Sequence, residues 1–253
     1  MDILVCVKRV PMVGGRIVLT ADGQDVDTRM SGFTVSPHEE CAVEEAVQIA
    51  QRSGGTVTVL TLGPPEAADQ LRDMLALGAY RGVLLETDGR EWGPVATAAA
   101  IAKAVGELWA SAFPLILVGN EAADTGGYQV GIRVAHALGR PCVTGIKRLE
   151  VTGDVLRAWR EYGGGQEEFE VALPAVVGVK EGINLPRYPS LPGRLRAKRA
   201  EIVVLKPAWQ ADGLRKVALR VPAGSAQHAR VLGHGTEAVP ELMQVLGEIG
   251  VLS

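Results

Sequence analysis

A glycine-rich stretch follows one of the apolar runs of the sequence and could hold a phosphate group. The run Leu115 to Gly119 has the length of a buried strand, and Gly126, Gly127 and Gly131 follow it. Glycine lets the backbone approach a ligand closely, and free N–H groups at the start of a helix favour an anion. Asp124 could accept hydrogen bonds from a ribose. Because no G-x-G-x-x-G or P-loop motif is present, the pattern alone favours a nucleotide site and a purely structural turn equally.

The other reactive side chains form no recognisable catalytic or metal-binding set. The cysteines are far apart, lie in apolar surroundings and include no C-x-x-C pair, which favours buried free thiols: Cys6, Cys41 and Cys142. The histidines show no metal-binding spacing: His38, His136, His228 and His234. Neither a G-x-S-x-G motif nor close carboxylates on one helical face indicate proton chemistry. We therefore expect neither a metal site nor a catalytic site.

A proline-rich segment with a basic end is suited to present a surface. The apolar run Ala175 to Val179 predicts a parallel strand buried on both faces. Three prolines then fix φ at every third position and remove backbone donors, which predicts a semi-rigid surface loop: Pro186, Pro189 and Pro192. Leu191 lies at the tip of this loop. A basic helix follows, with Arg194, Arg196, Lys198 and Arg199.

Alternating strands and helices must position these residues. The predicted strands are Ile3 to Val7, Val57 to Leu62, Gly82 to Leu85 and Leu115 to Val118. The predicted helices are Pro37 to Arg52, Glu66 to Leu77 and Val95 to Trp109. This alternation predicts an α/β fold with a doubly wound, mostly parallel sheet of the Rossmann-like, adenine-nucleotide-binding type. A ligand crevice is expected at the carboxyl ends of the strands.

Two hairpins and a C-terminal arm are predicted outside this core. One hairpin spans Arg16 to Leu19 with a turn at residues 21–23, and the other spans Arg148 to Arg160 with a turn at residues 152–154. Beyond Ile202, prolines and glycines interrupt the pattern until a short amphipathic helix at residues 237–249. We expect an α/β domain at residues 1–205 and an arm at residues 206–253. Composition alone leaves open whether the arm binds a partner or packs on its own domain.

Composition excludes several classes of protein. A net charge of −3 and a pI near 5.9 argue against a nucleic-acid-binding protein, which would neutralise phosphates with lysine and arginine. No run of about eighteen apolar residues predicts a membrane span, and a strand directly after Met1 leaves no room for a targeting peptide. We therefore expect a cytoplasmic protein that is not inserted in a membrane. Only two asparagines occur, Asn120 and Asn184, which favours a thermophilic source.

Several motifs resemble the beta subunit of electron-transfer flavoproteins. The proline-rich loop matches the family pattern N-x-PRY-x-x-LP, followed by a basic helix, at Asn184, Pro186, Arg187, Tyr188, Leu191 and Pro192. REYGGGQE at 160–167 and LPAVV at 173–177 are similar to the family signature, with Tyr162 in place of an acidic residue. ILVCVKRVP at 3–11, SPHEE and AVEEA within 36–46, and ALGAYRG at 76–82 resemble the opening strand, the start of the first helix and a later turn. The resemblance spans nearly the whole chain.

The resemblance implies a bound nucleotide at the glycine-rich loop, whose family core is Gln129-Val130-Gly131 here. That nucleotide is AMP in ordinary members and a second FAD in electron-bifurcating members. The family's nucleotide contacts fall on Cys6, Ser36, Pro37, His38, Glu39, Leu62, Asp124, Thr125, Gly126, Gly127, Tyr128, Gln129, Val130, Gly131, Ile132, Arg133, Val134 and Ala135. Tyr128 replaces a smaller residue, and Ile132-Arg133 differs from both subgroups. We favour AMP because this chain lacks the proline of the bifurcating pattern G-D-T-A-Q-V-G-P.

The same resemblance implies several partners. An alpha subunit would hold most of the FAD and be wrapped by residues 206–253, while the turn Arg9 to Gly14 forms one wall of the FAD site, with Val13 in place of a frequent tyrosine. The loop and helix at 184–199 would dock acyl-CoA dehydrogenase-type flavoenzymes, with Leu191 as the anchor. The docking residues would be Asn184, Pro186, Arg187, Tyr188, Leu191, Pro192, Arg194 and Lys198. Electrons would leave to a membrane quinone oxidoreductase, so the chain would be an electron carrier and not an enzyme, because the flavin performs the redox step.

Other classes stay open on the residues alone. A stand-alone nucleotide-binding protein resembling universal stress proteins would need a G-x-x-G-x9-G-[ST] loop, which is absent. A nicotinamide-dependent dehydrogenase would need G-x-G-x-x-G after the first strand, where the chain has VKRVP at 7–11. Without the resemblance, Leu191 folded under its own prolines among solvated charges is the better interpretation of the loop.

Overall fold

The computed structural model describes residues 1–253 except positions 13, 15–16, 110–112, 212, 214–215, 223–229 and 253. In this part of the chain, a central sheet of seven strands has only parallel pairings. Numbered along the chain and given in spatial order, its strands are β12 (Ile202–Leu205), β5 (Arg81–Glu86), β4 (Val57–Gly63), β1 (Ile3–Cys6), β6 (Leu115–Gly119), β11 (Ala175–Val179) and β7 (Cys142–Ile146). The predicted strands are confirmed. Only β7 and β12 had no counterpart in the sequence analysis.

Helices cover both faces of this sheet. They are α1 (Pro37–Ser53), α2 (Ala68–Leu77), α3 (Pro94–Trp109), α4 (Val130–Ala137) and α5 (Leu191–Arg199). Successive residues of a strand point to opposite faces. Ile3 and Val5 of β1 accordingly join a buried cluster with α1 and α2, whereas Leu4 and Cys6 join a second cluster with α3 and α4. The doubly wound α/β fold is therefore confirmed.

The start of α1 lies at the carboxyl edge of the sheet and positions two side chains for the site. Ser36 precedes the helix with extended backbone, Pro37 takes its first position, and Glu39 takes its third. This order is favourable because the fixed φ of proline is pre-organised for the first turn of a helix. Gly54, with a φ of +72°, ends the helix in the left-handed conformation.

A separate antiparallel sheet of three strands follows β7. Its strands are β8 (Arg148–Thr152), β9 (Val155–Tyr162) and β10 (Gly165–Ala172). The predicted hairpin at 148–160 is confirmed, but β10 was not predicted as a strand. Along β10 exposed residues alternate with partly buried ones, and Phe169 and Val171 pack against the core. This alternation is typical of a sheet with one solvated face.

The first predicted hairpin is only partly present. Two-residue strands β2 (Val10–Pro11) and β3 (Phe33–Thr34) pair with each other, and a single antiparallel bridge joins Leu19 to Val26 around the expected turn. Arg16, where the hairpin was expected to begin, lies outside the described residues, as does Val13. Among the described residues, the excursion after β1 is therefore mostly irregular, because so short a two-stranded pairing has little stability of its own.

By its internal contacts the chain divides into two units, Met1–Ala218 and Leu219–Ser253. The expectation that the chain beyond Ile202 lacks regular structure is wrong for its first residues, since Ile202–Leu205 pairs with β5 as an edge strand. The second unit contains helix α6 (Val239–Glu248). It presents Val239, Leu242 and Met243 to solvent. The proposed boundary between domain and arm at residue 205 stays a prediction. Among the described residues, no helix combines the length and apolarity needed to cross a bilayer.

Candidate nucleotide site

A cavity of about 370 Å³ lies at the carboxyl ends of the central strands. In the sheet, β4 and then β5 lie on one side of β1. On the other side lie β6, β11 and β7, so the strand order reverses at β1. Doubly wound proteins bind ligands where the strand order reverses in this way. Cys6 of β1 and Val118 of β6 both line the cavity, which places it at the switch point. Its volume is within the usual range of small-molecule sites.

The cavity has one apolar end and one polar end. Toward β4 and β5 most of the lining is apolar, with Glu91 and Thr97 as polar members beside Leu60, Leu62, Trp92, Pro94 and Ile101. Toward β6, β11 and β7 the lining has more polar and backbone groups, from Asn120, Glu121, Thr125, Thr144 and Gly178, beside the apolar Val118, Val130 and Ile132. A nucleotide has the same polarity, with a flat base at one end and a phosphate at the other. The arrangement therefore favours a base over β4 and a phosphate near β6.

Glu39 is a buried carboxyl group in the wall between these ends. Its side chain is only 6% exposed, and its Oε2 accepts a hydrogen bond from the backbone N–H of Lys8 at 2.9 Å. Burial raises the pKa of Glu39 to about 8, although the hydrogen bonds from Lys8 and Ser36 oppose the shift. A Cβ on Gly119 would lie 2.5 Å from Cγ of Glu39, so glycine at that position leaves the room that Glu39 occupies.

One ion pair and the polar contacts of a histidine hold the mouth of the cavity. Nζ of Lys8 contacts both carboxylate oxygens of Asp124, at 2.6 and 2.7 Å. On α1, Nδ1 of His38 accepts a hydrogen bond from the backbone N–H of Glu181 at 2.8 Å, so the ring proton of the neutral imidazole is on Nε2. Nε2 lies 3.3 Å from Oε1 of Glu121. These contacts tie the loop after β6 to the ends of β1, α1 and β11.

The start of α4 has backbone N–H groups of the kind that favour an anion. Gly126 has a φ of +54°, and Tyr128 is the one non-glycine residue among those described with a positive φ, at +55°. The N–H groups in the first turn of a helix have no partner within the helix and favour a phosphate. Gly131 lies in this turn, where a Cβ would come within 2.5 Å of Cγ2 of Val118. Close packing of α4 on β6 therefore requires glycine there and holds the helix start against the cavity.

The connection between β5 and α3 closes the apolar end and was missed by the sequence analysis. Glu91, Trp92 and Gly93 line the cavity there. A segment after β12 holds this connection in place: Nε1 of Trp209 donates to the carbonyl oxygen of Glu91 at 3.0 Å, and Nζ of Lys216 lies 3.2 Å from Oε1 of Glu91. One feature of the sequence could have identified this connection: Trp92 follows a predicted strand, and crevice residues of this fold lie after strands.

Comparison with known proteins assigns the family. The family model of the electron transfer flavoprotein domain matches residues 26–209. The chain belongs to this family. It is 36% identical to the electron transfer flavoprotein subunit beta of Bacillus subtilis over 209 residues, which covers 81% of this chain and 79% of the relative. The human subunit beta is 32% identical over 252 residues, covering 98% of this chain and 97% of the relative. The resemblance seen in the motifs is thereby confirmed.

Membership in the electron transfer flavoprotein family implies an electron-transfer role, an association with flavin and an alpha subunit as partner. Similar coverage is found with the subunit beta of Syntrophomonas wolfei, 33% identical over 233 residues, with 91% of this chain and 90% of the relative aligned. The similarity is thus not confined to the nucleotide site. It includes the proline-rich loop and the antiparallel sheet.

The structure brings many, but not all, of the nucleotide contacts expected from the family to the cavity. Those in its wall are Cys6, Glu39, Leu62, Thr125, Gly127, Tyr128, Gln129, Val130, Gly131 and Ile132. Cys6 is a buried thiol, and burial raises its pKa to about 12. Those outside the wall are Ser36, Pro37, His38, Asp124, Gly126, Arg133, Val134 and Ala135. Val134 and Ala135 are core residues, and the guanidinium of Arg133 donates to Oε1 of Gln129 at 2.9 and 3.1 Å. Binding by each of these residues stays a prediction.

The proline-rich loop divides into side chains that hold it and side chains that face solvent. Asn184 donates to the Cys41 carbonyl oxygen at 3.1 Å and to Oε2 of Glu45 at 3.0 Å. Arg187 makes a two-pronged ion pair with Glu44, at 2.7 and 2.9 Å. Asn184 and Arg187 thus contact α1 within this chain. Their part in docking stays a prediction. The exposed apolar side chains of this family loop are Leu185 (89%), Tyr188 (95%) and Leu191 (71%).

The basic helix is confirmed, but it begins at Leu191, so Leu191 and Pro192, which were expected in the loop, lie in its first turn. Ser190 precedes α5, and its Oγ accepts a hydrogen bond from the N–H of Gly193 at 3.1 Å. A Cβ on Gly193 would lie 2.7 Å from the carbonyl oxygen of Ala76, so α5 approaches α2 closely. This packing leaves Leu191 outward at the first position of the helix.

Proposed function

We propose that this chain is the beta subunit of a heterodimeric electron-transfer flavoprotein and that its crevice holds AMP. The observation that carries the proposal is the cavity at the switch point, whose polarity matches that of a nucleotide. The apolar lining near Leu62 and Trp92 suits an adenine ring. The glycines before α4 and the first turn of this helix suit the phosphate.

The residues of this chain have binding and orienting roles in the proposal. FAD supplies the redox chemistry and is held mainly by the alpha subunit, with the turn Arg9 to Gly14 as one wall of its site. Val13 of this turn lies outside the described residues. Leu62 and Thr125 contact the nucleotide, while Glu39 and the Lys8–Asp124 pair shape the cavity. No proton transfer by the chain is needed, since it carries electrons and turns over no substrate.

Two surfaces of the chain make its protein contacts in this proposal. The loop and helix at 184–199 dock flavoenzymes of the acyl-CoA dehydrogenase type, and the reduced complex passes electrons to a membrane quinone oxidoreductase. Residues 206–253 dock on the alpha subunit, a role that the exposed apolar residues of α6 support. We place this complex in the cytoplasm, as the sequence predicts.

Identification of the bound nucleotides tests the nucleotide part of the proposal. The chain is co-expressed with its alpha subunit, and small molecules released from the purified complex are quantified by mass spectrometry and absorption. We expect equal amounts of FAD and AMP. Two molecules of FAD per complex would instead support the bifurcating alternative, and a complex without flavin would contradict the proposal.

Replacement of Leu191 tests the docking part. In Leu191→Ala, reduction of the complex by an acyl-CoA dehydrogenase should slow, because an exposed anchor at an interface contributes about 2 kcal/mol or more. Val155→Ala is the matched control, since Val155 is an exposed apolar residue on the antiparallel sheet. An unchanged reduction rate in Leu191→Ala, with unchanged flavin content, would remove the anchor role.

A further inference from the structure

The two edges of the central sheet differ in how they are protected. At one edge, the register between β7 and β11 shifts, and the residues of β7 are half-buried or buried. The chain then enters the antiparallel sheet, where the backbone N–H of Lys147 donates to the carbonyl oxygen of Trp159. Irregular pairing and a covering segment are devices that keep an edge strand from pairing with another protein. The β7 edge has both.

At the opposite edge, β12 has neither device. It pairs with β5 in continuous register from Ile202 to Leu205, and its sequence IVVL contains no charge and no proline. Val203 is 40% exposed and Val204 is 46% exposed. Because successive residues of a strand point to opposite faces, apolar side chains of β12 reach solvent on both faces of the sheet. Such an edge strand is a template for pairing with a strand of another chain.

The outer backbone groups of β12 are free for this pairing. β5 bonds to one side of the strand, and the N–H and C=O groups of alternate residues of an edge strand point away from the sheet. In the described part of the chain, no backbone hydrogen bond outside the regular elements involves Ile202–Leu205.

The chain that follows β12 turns away from this edge. Nε1 of Trp209 donates to the carbonyl oxygen of Glu91, which follows β5. Further on, Nζ of Lys216 donates at 2.9 Å to the carbonyl oxygen of Gln24, in the excursion after β1. Both β5 and β1 lie on the inner side of β12. This segment therefore crosses the carboxyl ends of other strands and leaves the β12 edge exposed.

The residues that bound β12 suit a second copy of the same strand. Glu201 precedes the strand and Lys206 follows it. In an antiparallel pair the start of one strand lies beside the end of the other, so each acidic end lies near a basic end, whereas a parallel pair would set like charges side by side. Nζ of Lys206 lies 2.8 Å from Oε1 of Glu86, but its side chain is 76% exposed. Exposed ion pairs of this kind are weak, so Lys206 can also face Glu201 of a second copy.

We propose that β12 is the contact between two copies of this chain, which pair antiparallel across a two-fold axis and join two complexes with the alpha subunit through one continuous sheet. A two-fold axis perpendicular to the sheet places one residue opposite its own copy. The pairing is therefore centred on Val203 or on Val204. A pair of four-residue strands buries little surface, so the association is weak and depends on concentration. It does not depend on which nucleotide the cavity holds.

Sedimentation equilibrium of the complex with the alpha subunit tests the inference. We expect the mass to rise from that of one complex to that of two between about 1 and 100 µM. Val203→Lys should weaken the association at least tenfold, about the effect of a like-charge pair set close together at the two-fold axis. Val155→Lys is the matched control, since Val155 is a comparably exposed valine (38%) on the antiparallel sheet. It should leave the association unchanged.

Cysteine variants give a readout that does not depend on affinity. Residues opposite each other in an antiparallel pair have Cα atoms about 4.5–5.5 Å apart, within the range of a disulfide. Under mild oxidation, Val203→Cys or Val204→Cys should therefore form a covalent dimer of this chain, and Val155→Cys should not. The natural cysteines are buried or half-buried, so the wild type serves as the blank.

The outcomes separate this inference from the proposed function. A complex that contains flavin and keeps the mass of one heterodimer at every concentration would overturn the pairing and leave the proposed function intact. The absence of a covalent dimer in both cysteine variants would have the same meaning. A doubled mass that persists in Val203→Lys and Val204→Lys would show that another surface joins the copies, which also overturns the pairing. Pairing of the free chain that the alpha subunit abolishes would show that this subunit covers β12, and the inference fails again. A complex without flavin would instead contradict the proposed function, and the crosslinks would still decide the pairing.

Discussion

The ion pair between Arg187 and Glu44 gives a prediction whose size can be worked out from the structure. The Glu44 side chain is 4% exposed and the Arg187 side chain 36%. In Arg187→Ala the carboxylate loses the guanidinium and keeps the hydrogen bonds from Nε2 of Gln48, at 2.8 Å, and from the backbone N–H of residue 187, at 3.2 Å. Breaking a fully buried pair costs about 3–5 kcal/mol. Because solvent reaches Arg187, we expect about 2 kcal/mol here, which lowers the melting temperature by roughly 4–8 °C.

The pH dependence of this loss supplies a second readout. Burial raises the pKa of Glu44, but the hydrogen bonds from Arg187 and Gln48 outweigh burial and hold the pKa below its usual value. The pair therefore stabilises the fold above the unfolded pKa of glutamate, and this contribution is lost as the pH falls through the lower folded pKa. In Arg187→Ala fewer interactions counteract the effect of burial on the pKa of Glu44, so its carboxyl group takes up a proton at higher pH. The destabilisation should accordingly shrink as the solution is acidified from pH 7.

Denaturant unfolding of wild type and variant at pH 7 and at about pH 4 measures both effects. Tyr188→Ala is the control, because Tyr188 is in the same loop and almost fully exposed. It should change the free energy of unfolding by less than about 0.5 kcal/mol. The reasoning is refuted if Arg187→Ala is no more destabilising than the control at pH 7, or if its effect is the same at both pH values. Hydrogen exchange in residues 184–190 should rise in Arg187→Ala alone.

Three further predictions concern the cavity. Because the folded pKa of Glu39 is raised to about 8, the wild type should lose stability as the pH rises from the unfolded glutamate pKa to about 8, and denaturation of Glu39→Gln should show a flatter slope. Gly131→Ala should weaken nucleotide binding by about tenfold in calorimetry, whereas Gly106→Ala, where a Cβ meets nothing within 4 Å, should not. Trp209→Ala should speed nucleotide release about fivefold in stopped-flow measurements, and the exposed control Tyr80→Ala should leave the rate unchanged.

The elements of the central fold could be predicted because their apolar patterns are strong. Ile3 to Val7 and Leu115 to Val118 are uninterrupted apolar runs, as expected for strands covered on both faces. By contrast, β12 carries Val203 and Val204 partly exposed at the sheet edge, and β10 alternates with charged residues. Neither has the continuous burial that marks a central strand. Their assignment depends on pairing partners distant in sequence.

The sequence could predict only part of the site, because it does not show the order of the strands in space. Motifs led to Gln129 and Gly131, which are local to one loop. Trp92, Thr144 and Gly178 also line the cavity, but they follow β5 or belong to β7 and β11. Only the order of the strands in space brings these ends together.

Sequence motifs also do not show whether a side chain points into the protein or toward solvent. Asn184 and Arg187 belong to the recognised loop pattern, yet their side chains bond to α1. Only a three-dimensional neighbour, such as the buried Glu44, determines which side of a loop faces inward.

The path from β11 to β12 crosses the molecule from near one edge of the central sheet to the opposite edge. On its way it bonds to α1 through Asn184 and packs on α2 through α5. A protease cut at the exposed loop would therefore sever the polypeptide without separating its halves, since the downstream piece remains hydrogen-bonded to β5. Such a nicked protein would run as one species on a native gel and as two fragments in detergent, with its proline-rich loop interrupted and its sheet intact.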